Sequence, residues 1–274
     1  MSKFHIVVDL AKCVGCHTCI MACKDEHCGN CWLPYTDEQR REDEKWIRIK
    51  RVERGNYPHA QVHYLPSICN HCDNAACIKA YPDVFFKRED GIVMMDPVKA
   101  KGRPEIKDAC PFGAIDWNED LQVAQKCTGC AHLLDDGWKE PRCVQVCPLR
   151  ALRIVKCDDG DFEKLAMVKG LEPLHGAGAK PRVVYKNLHL YKNVYVCGAV
   201  ETTGKDGLKT CAKGVQVELC KGDEVVATTV TDMFGDFYFD KLDKNSGEYI
   251  VKVGGQTLKA TVGAECADVG LITL

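Results

Sequence analysis

From residue 195 to the C-terminus, apolar and polar residues alternate in short runs, "VYVCGAV", "GVQVELC", "EVVATTV", "DFYFDKL" and "EYIVKV", separated by Gly, Asp, Asn and Lys. A period of two puts every second side chain on one face, and turn residues close each run, so an antiparallel β-sandwich is predicted. Phe237 and Phe239 share a face in that register, and Gly235 stands where the preceding turn calls for a positive φ. The first half reads differently. "FHIVVD" and "GIVMMD" are similar short strands, each entering a segment of similar layout, and "CPFGAID" (110–116) and "CPLRALR" (147–153) share Cys-Pro, a small residue and an aliphatic one before another strand. Between the halves, "GLEPLHGAGAKPRVVYKNLHLYKN" (170–193) is rich in Gly and Pro and then aromatic. Its Tyr and Leu residues predict a linker that docks rather than a free tether.

A chain of 274 residues exceeds the usual single-domain size. Nineteen cysteines change the picture most: fourteen lie before residue 148, and Cys157, Cys197, Cys211, Cys220 and Cys266 are scattered without short spacing, as small core residues would be. The N-terminus "MSKFHIVVDLAKC" carries neither a basic and apolar leader nor a twin-arginine pair, so a cytoplasmic location with reduced thiols is expected. Reduced thiols favour metal ligation over disulfides. No apolar run approaches the roughly 18 residues needed to span a bilayer, so no membrane partner is expected. A formal net charge of -2 gives no basic footprint for nucleic acid.

Cys13, Cys16, Cys19 and Cys23 follow CxxCxxCxxxC, in which three thiolates wrap one iron–sulfur cube and the fourth reaches a neighbouring one, so such runs work in pairs. Cys127, Cys130, Cys143 and Cys147, the last followed by Pro148, form a stretched version of the same run. Pairing the two closes one site from Cys13, Cys16, Cys19 and Cys147, and another from Cys23, Cys127, Cys130 and Cys143. Cys69, Cys72 and Cys77 supply three ligands of a further run, whose fourth position holds Tyr81 before Pro82. Its partner is "DPVKAKGRPEIKDACP" (96–111), which aligns without a gap with "DLAKCVGCHTCIMACK" (9–24) yet keeps only Cys110; Ala100, Arg103 and Ile106 stand where Cys13, Cys16 and Cys19 do. All four positions of one cluster have lost their sulfur, while Cys110 joins Cys69, Cys72 and Cys77 in a complete third site. Zinc sites combine two CxxC pairs, whereas CxxCxxCxxxC crowds four thiols into a turn and a half, so three [4Fe-4S] clusters are expected instead.

Cys28 and Cys31 form an extra CxxC with no free pair to complete it, and read as loop thiols. His17, His27 and His71 lie beside ligands and read as packing or hydrogen-bonding neighbours. The 45 residues between Cys23 and Cys69, with Trp32, Tyr35, Trp46 and Tyr57, exceed what clusters require and are a candidate docking surface. There is no P-loop, GxGxxG or GxSxG, so no residue is assigned a catalytic role.

The organisation resembles a bacterial ferredoxin in tandem, and the order of runs resembles the iron–sulfur subunit of dimethyl sulfoxide reductase-family molybdopterin oxidoreductases. The likeness is carried by the ligand set together with "DGIVMMDPVKAKG", "AQKCTGCAHLLDDGW", "KPRVVYKNL" and the appended β-domain. It implies a heterodimer in which a large molybdopterin-containing catalytic subunit converts hydroxylated aromatic compounds and this chain transfers electrons. A free polyferredoxin is the alternative, and would be expected to carry a more acidic surface. "TTVTDMFGDFYFDKL" with "GEYIVKV" is similar to transthyretin-like or collagen-adhesin B-type sandwiches. The expected plan is α+β: a tandem ferredoxin-like domain over 1–180, a docking linker over 181–194 and a β-sandwich over 195–274.

Overall fold

Strands form where apolar residues recur with period two, and short helices follow the cysteine loops. The computed structural model describes residues 2–42 and 44–274. The chain falls into two units, one of residues up to 51 with 64–188, the other of 52–63 with 189–274.

In the first unit β1 (Lys3–Asp9) leads through the first cysteine loop into α1 (Thr18–His27). Then come the hairpin β2 (Ile47–Arg54) and β3 (Gln61–Ile68), whose tip belongs to the second unit, α2 (Ala76–Ala80), and two small hairpins. These are β4 (Phe85–Lys87) with β5 (Val93–Met95), and β6 (Ile115–Asn118) with β7 (Val123–Lys126). Two one-turn helices, α3 (Ala131–Asp135) and α4 (Arg142–Gln145), precede β8 (Leu152–Cys157), α5 (Asp159–Lys169) and β9 (Val183–Lys186). β1 is the central strand of a three-stranded sheet, antiparallel to β8 and parallel to β9. A central strand covered on both faces wants apolar residues on both, and Phe4, Ile6, Val8 and also His5 are buried. The Gly- and Pro-rich stretch before β9 docks on the loop of Cys69 and Cys72: Asp73 N–H donates to Lys180 O and Arg182 N–H to Asn70 O, each at 2.9 Å.

His5 shows how such a sheet responds to acid. Its ring stacks on Phe162 at 3.6 Å and accepts from Arg182 Nη1 at 3.2 Å. Burial first, and then the Arg182 guanidinium, push its pKa down to about 4. The unfolded chain takes up that proton near 6.5. Between these values the unfolded state binds more protons, so this stability is whole above pH 6.5 and is lost as pH falls toward 4. We expect His5→Gln to flatten that slope in denaturant melts at stepped pH; an unchanged slope would assign it to other groups.

The second unit holds α6 (His189–Lys192) and eight strands: β10 (Val194–Thr203), β11 (Lys209–Cys211), β12 (Gln216–Lys221), β13 (Glu224–Val230), β14 (Asp236–Leu242), β15 (Gly247–Val253), β16 (Gln256–Val262) and β17 (Ala267–Thr273). One sheet places β11, β14 and β17 around β10, and the other runs β13-β12-β15-β16. Between them Val217, Leu219, Phe237, Phe239, Val251 and Val262 form a buried core at the alternate positions expected. β17 departs from the expectation of purely antiparallel pairing, because it runs parallel to β10. Two of the late cysteines, Cys197 and Cys220, are buried as small apolar residues are; Cys211 is exposed, against expectation.

The turn before β14 is closed by Asp232, whose Oδ1 accepts from Phe234 N–H at 2.8 Å and Asp236 N–H at 3.0 Å. Gly235 has φ +82, and a Cβ there would collide with the Val200 carbonyl oxygen. Gly235→Ala is therefore expected to destabilise the sandwich by at least about 1–3 kcal/mol of backbone strain. Thermal unfolding checks it, and an unshifted midpoint would mean that the turn adopts another form.

Candidate iron–sulfur sites

Each cysteine loop bends through a left-handed residue just before its second thiol: Gly15 (φ 66), His71 (φ 44) and Gly129 (φ 63). That conformation suits glycine, and at Gly15 the Tyr64 ring lies where a Cβ would be. His71 takes it with a side chain, held because its buried Nδ1 accepts from Val93 N–H at 3.2 Å. The turns gather sulfurs and aim donors at them. Gly129 N–H donates to Cys127 Sγ at 3.4 Å, Ala151 N–H to Cys147 Sγ at 3.2 Å and Thr18 Oγ1 to Cys16 Sγ at 3.4 Å.

Cys13, Cys16, Cys19 and Cys147 line one cavity. Burial first, then repulsion from Cys13, Cys16 and Cys147, pushes Cys19 up to about 11, while the Thr18 hydroxyl and N–H hold the exposed Cys16 below its ordinary value. Cys69, Cys72, Cys77 and Cys110 line a second cavity, where burial and the other three thiols push Cys72 up to about 12. Cys23, Cys127, Cys130 and Cys143 form a third, more deeply buried group. Burial followed by Cys127 and Cys130 lifts Cys23 well above its range, and burial followed by Cys130, Cys127 and Cys23 does the same to Cys143. The groups also touch electrostatically: Cys19 bears on Cys23 and Cys143, and Cys69 on Cys127. The group of Cys23 thus lies between the other two.

Gathered thiolates repel one another, and a cation bound among them relieves that repulsion, which is what a thiolate-ligated metal does. All nineteen cysteines are free thiols, so no disulfide competes for these sulfurs. The donor set and the N–H groups aimed at sulfur therefore fit an iron–sulfur cluster.

The four positions without sulfur are closed over. Ala100 and Ile106 are 0% exposed in a core with Val84, Phe85, Met95, Ile115 and Val123. Arg103 lies over the Tyr81 ring at 5.1 Å and pairs with Asp83 at 2.7 Å. Hydrocarbon fills the space, so Ile106→Ala should cost about 2–5 kcal/mol while leaving iron content unchanged. Chemical denaturation and iron analysis test the two halves of that statement separately, and a loss of iron would contradict it.

Several side chains the sequence did not mark support the loops. Lys126 is 2% exposed; its Nζ donates to Val93 O and, at 2.8 Å, to Cys127 O. Lys87 Nζ donates to His71 O at 3.0 Å and Cys72 O at 2.9 Å. Arg182, 1% exposed, donates from Nε and Nη2 to both oxygens of Asp73, each at 2.8 Å. A basic residue beside a CxxC was the only available signal, and it spoke for Lys126 alone.

Cys28 donates to Arg40 O at 3.5 Å and Cys31 is exposed, so neither joins the three groups. His27 is buried against Trp46 at 4.6 Å, and His17 is exposed. Of the aromatic residues in the expected docking surface, Trp46 is 2% exposed with its Nε1 on Glu44, and Trp32 stacks on His132 at 4.4 Å. Tyr57 is 94% exposed, and Tyr35, half-buried, donates its hydroxyl to Asp135 at 2.7 Å. Among the described residues, no helix is long and apolar enough to cross a membrane.

Residues 60–157 match the family of 4Fe-4S dicluster domains. The chain is 41% identical over 282 residues to the pyrogallol hydroxytransferase small subunit of Pelobacter acidigallici, covering 100% of each chain. It is 35% identical over 199 residues to an anaerobic dimethyl sulfoxide reductase chain of Escherichia coli (strain K12), covering 68% of this chain and 89% of that one. With the arsenate respiratory reductase iron-sulfur subunit of Shewanella sp. (strain ANA-3) the identity is 27% over 245 residues, covering 70% and 100%. Among solved structures, a Klebsiella pneumoniae 5-hydroxyisourate hydrolase is similar over 29% of this chain and 89% of its own, with 19% identity and a TM-score of 0.25. Grouped thiols alone describe a cluster-binding protein, and kinship over the full length says which sort: the chain therefore belongs to the family of iron–sulfur subunits of molybdopterin oxidoreductases of the dimethyl sulfoxide reductase type.

Proposed function

We propose that this chain is the electron-transfer subunit of a heterodimer whose larger subunit carries a molybdenum–pterin centre and converts hydroxylated aromatic rings. Three [4Fe-4S] clusters are held by Cys13, Cys16, Cys19 and Cys147, by Cys23, Cys127, Cys130 and Cys143, and by Cys69, Cys72, Cys77 and Cys110. The observation that carries this reading is the gathering of twelve thiols into three groups of four, each drawn from two separate runs. Each cluster, when bound, accepts and returns a single electron. The protein sets the conditions: N–H and O–H donors on Cys16, Cys127 and Cys147 stabilise added negative charge on sulfur, and burial of the middle group excludes water. The ring chemistry is assigned to the partner, by kinship with the hydroxytransferase small subunit.

Anaerobic purification from the native source tests the reading. It should return about twelve irons per chain, the content of three cubes, together with a stoichiometric larger chain that contains molybdenum. A stable monomer with full iron would describe a free polyferredoxin instead, and far fewer irons would overturn the ligand sets.

A further inference from the structure

The second unit contains a group of side chains of the kinds that ligate metals, unconnected with the cysteine runs. Cys197 on β10 and Asp268 on β17 are direct partners in the parallel register, so their side chains stand next to each other on one face of the sheet. That face is opposite the core, because the flanking Val196 and Phe237 point inward. The tip of the β2–β3 hairpin covers it. Tyr195 donates its hydroxyl to the carbonyls of Arg54, at 3.0 Å, and His59, which pins the tip. His59, 6% exposed, thereby sets its imidazole over the pair. One ligand atom from each of His59, Cys197 and Asp268 lies within 4.8 Å of the others.

We infer that His59, Cys197 and Asp268 hold one divalent metal ion of the zinc class. A nitrogen, a sulfur and an oxygen donor at such separations suit a borderline-soft ion with tetrahedral preference, whereas calcium and magnesium ask for oxygen alone. The surroundings of the ring agree. Its Nδ1 is 2.8 Å from Asp268 Oδ2, on the side of the proposed ion, while Nε2 is 3.4 Å from Asp236 Oδ1. With Nδ1 on the ion, the far nitrogen would carry the ring's proton and present it to the Asp236 carboxylate, the usual arrangement around a metal-bound histidine. Asp236 is thus a positioning residue. Burial, followed by Asp268, Cys266 and Asp236, raises the Cys197 thiol to about 12, so ligation would release its proton to solvent. The ion would clamp hairpin tip, β10 and β17 together.

The test uses the full chain with its clusters, purified anaerobically, given equimolar zinc and desalted. About one zinc per chain should remain, and Asp268→Asn and His59→Gln should each remove it with iron content unchanged. Zinc-edge X-ray absorption should show one sulfur at about 2.3 Å and nitrogen or oxygen at about 2.0 Å. Asp236→Asn should weaken binding by about 10–100-fold without altering that ligand set. Four sulfurs around the ion would place it in a vacated cluster site, and retention of zinc by Asp268→Asn would place it elsewhere. Either result, or no zinc bound, overturns the inference.

Discussion

Serine in place of Cys110 should remove one cluster and leave the others. The expected readout is a fall from about twelve to about eight irons per chain, with the spectra of the remaining clusters preserved. Cys110 is the one thiol left in its run, and its sulfur lines the same cavity as Cys69, Cys72 and Cys77. A serine hydroxyl is smaller than the thiol and deprotonates far less readily, so the site keeps three ligands and a vacant corner. The effect should stay local, because the other two groups draw none of their ligands from residues 69–110. Cys28→Ser serves as the control: its sulfur faces Arg40 O, and iron should be unchanged. Full iron in the Cys110 variant would sink the assignment of the site formed with Cys69, Cys72 and Cys77.

Arg182→Met is expected to unfold the first unit more easily and to expose that same site. The guanidinium is buried, makes a two-pronged bond to Asp73, and reaches Asp159 at 3.1 Å and His5. Breaking a buried ion pair costs about 3–5 kcal/mol. Here the lower end applies, about 3 kcal/mol, because both carboxylates are partly exposed and Lys87 stays on Asp73 at 2.7 Å. Asp73 directly follows Cys72, so the loop loses an anchor and its iron should leave first under a mild chelator. Arg182→Lys keeps the charge but not the fork, and should recover only part of the loss. Equal loss of iron from all three sites would show that Arg182 supports the unit as a whole rather than this loop.

What the sequence disclosed follows the range of the interactions. Period-two alternation is local, and it identified Phe237, Phe239 and their neighbours as core. Ligand spacing is local too, and the echo between 9–24 and 96–111 marked the positions where sulfur is missing. Contacts across long stretches of chain left no such trace. Arg182 meets Asp73 across 109 residues and His59 meets Asp268 across 209, and neither pair sits in a periodic pattern. The place of the hairpin tip at 52–63 in the second unit was silent for the same reason: it is held by two backbone carbonyls on Tyr195, by Arg54 on Asp240 and by His59 beside Asp236 and Asp268, all across long stretches of chain. Parallel pairing of β17 was equally silent, since alternation reports which face a side chain takes and not the direction of the neighbouring strand.

Ile106, Ala100 and the Tyr81–Arg103 stack pack beside the site of Cys69, Cys72, Cys77 and Cys110. An electron on a cluster there would meet hydrocarbon and, among the described residues of this unit, no further group of four thiols. With the three clusters proposed above, the row of sites would serve as a reservoir more than a conduit, one unit of charge per site. Such a store suits a partner whose overall reaction neither consumes nor yields electrons yet has to be primed before it can turn over.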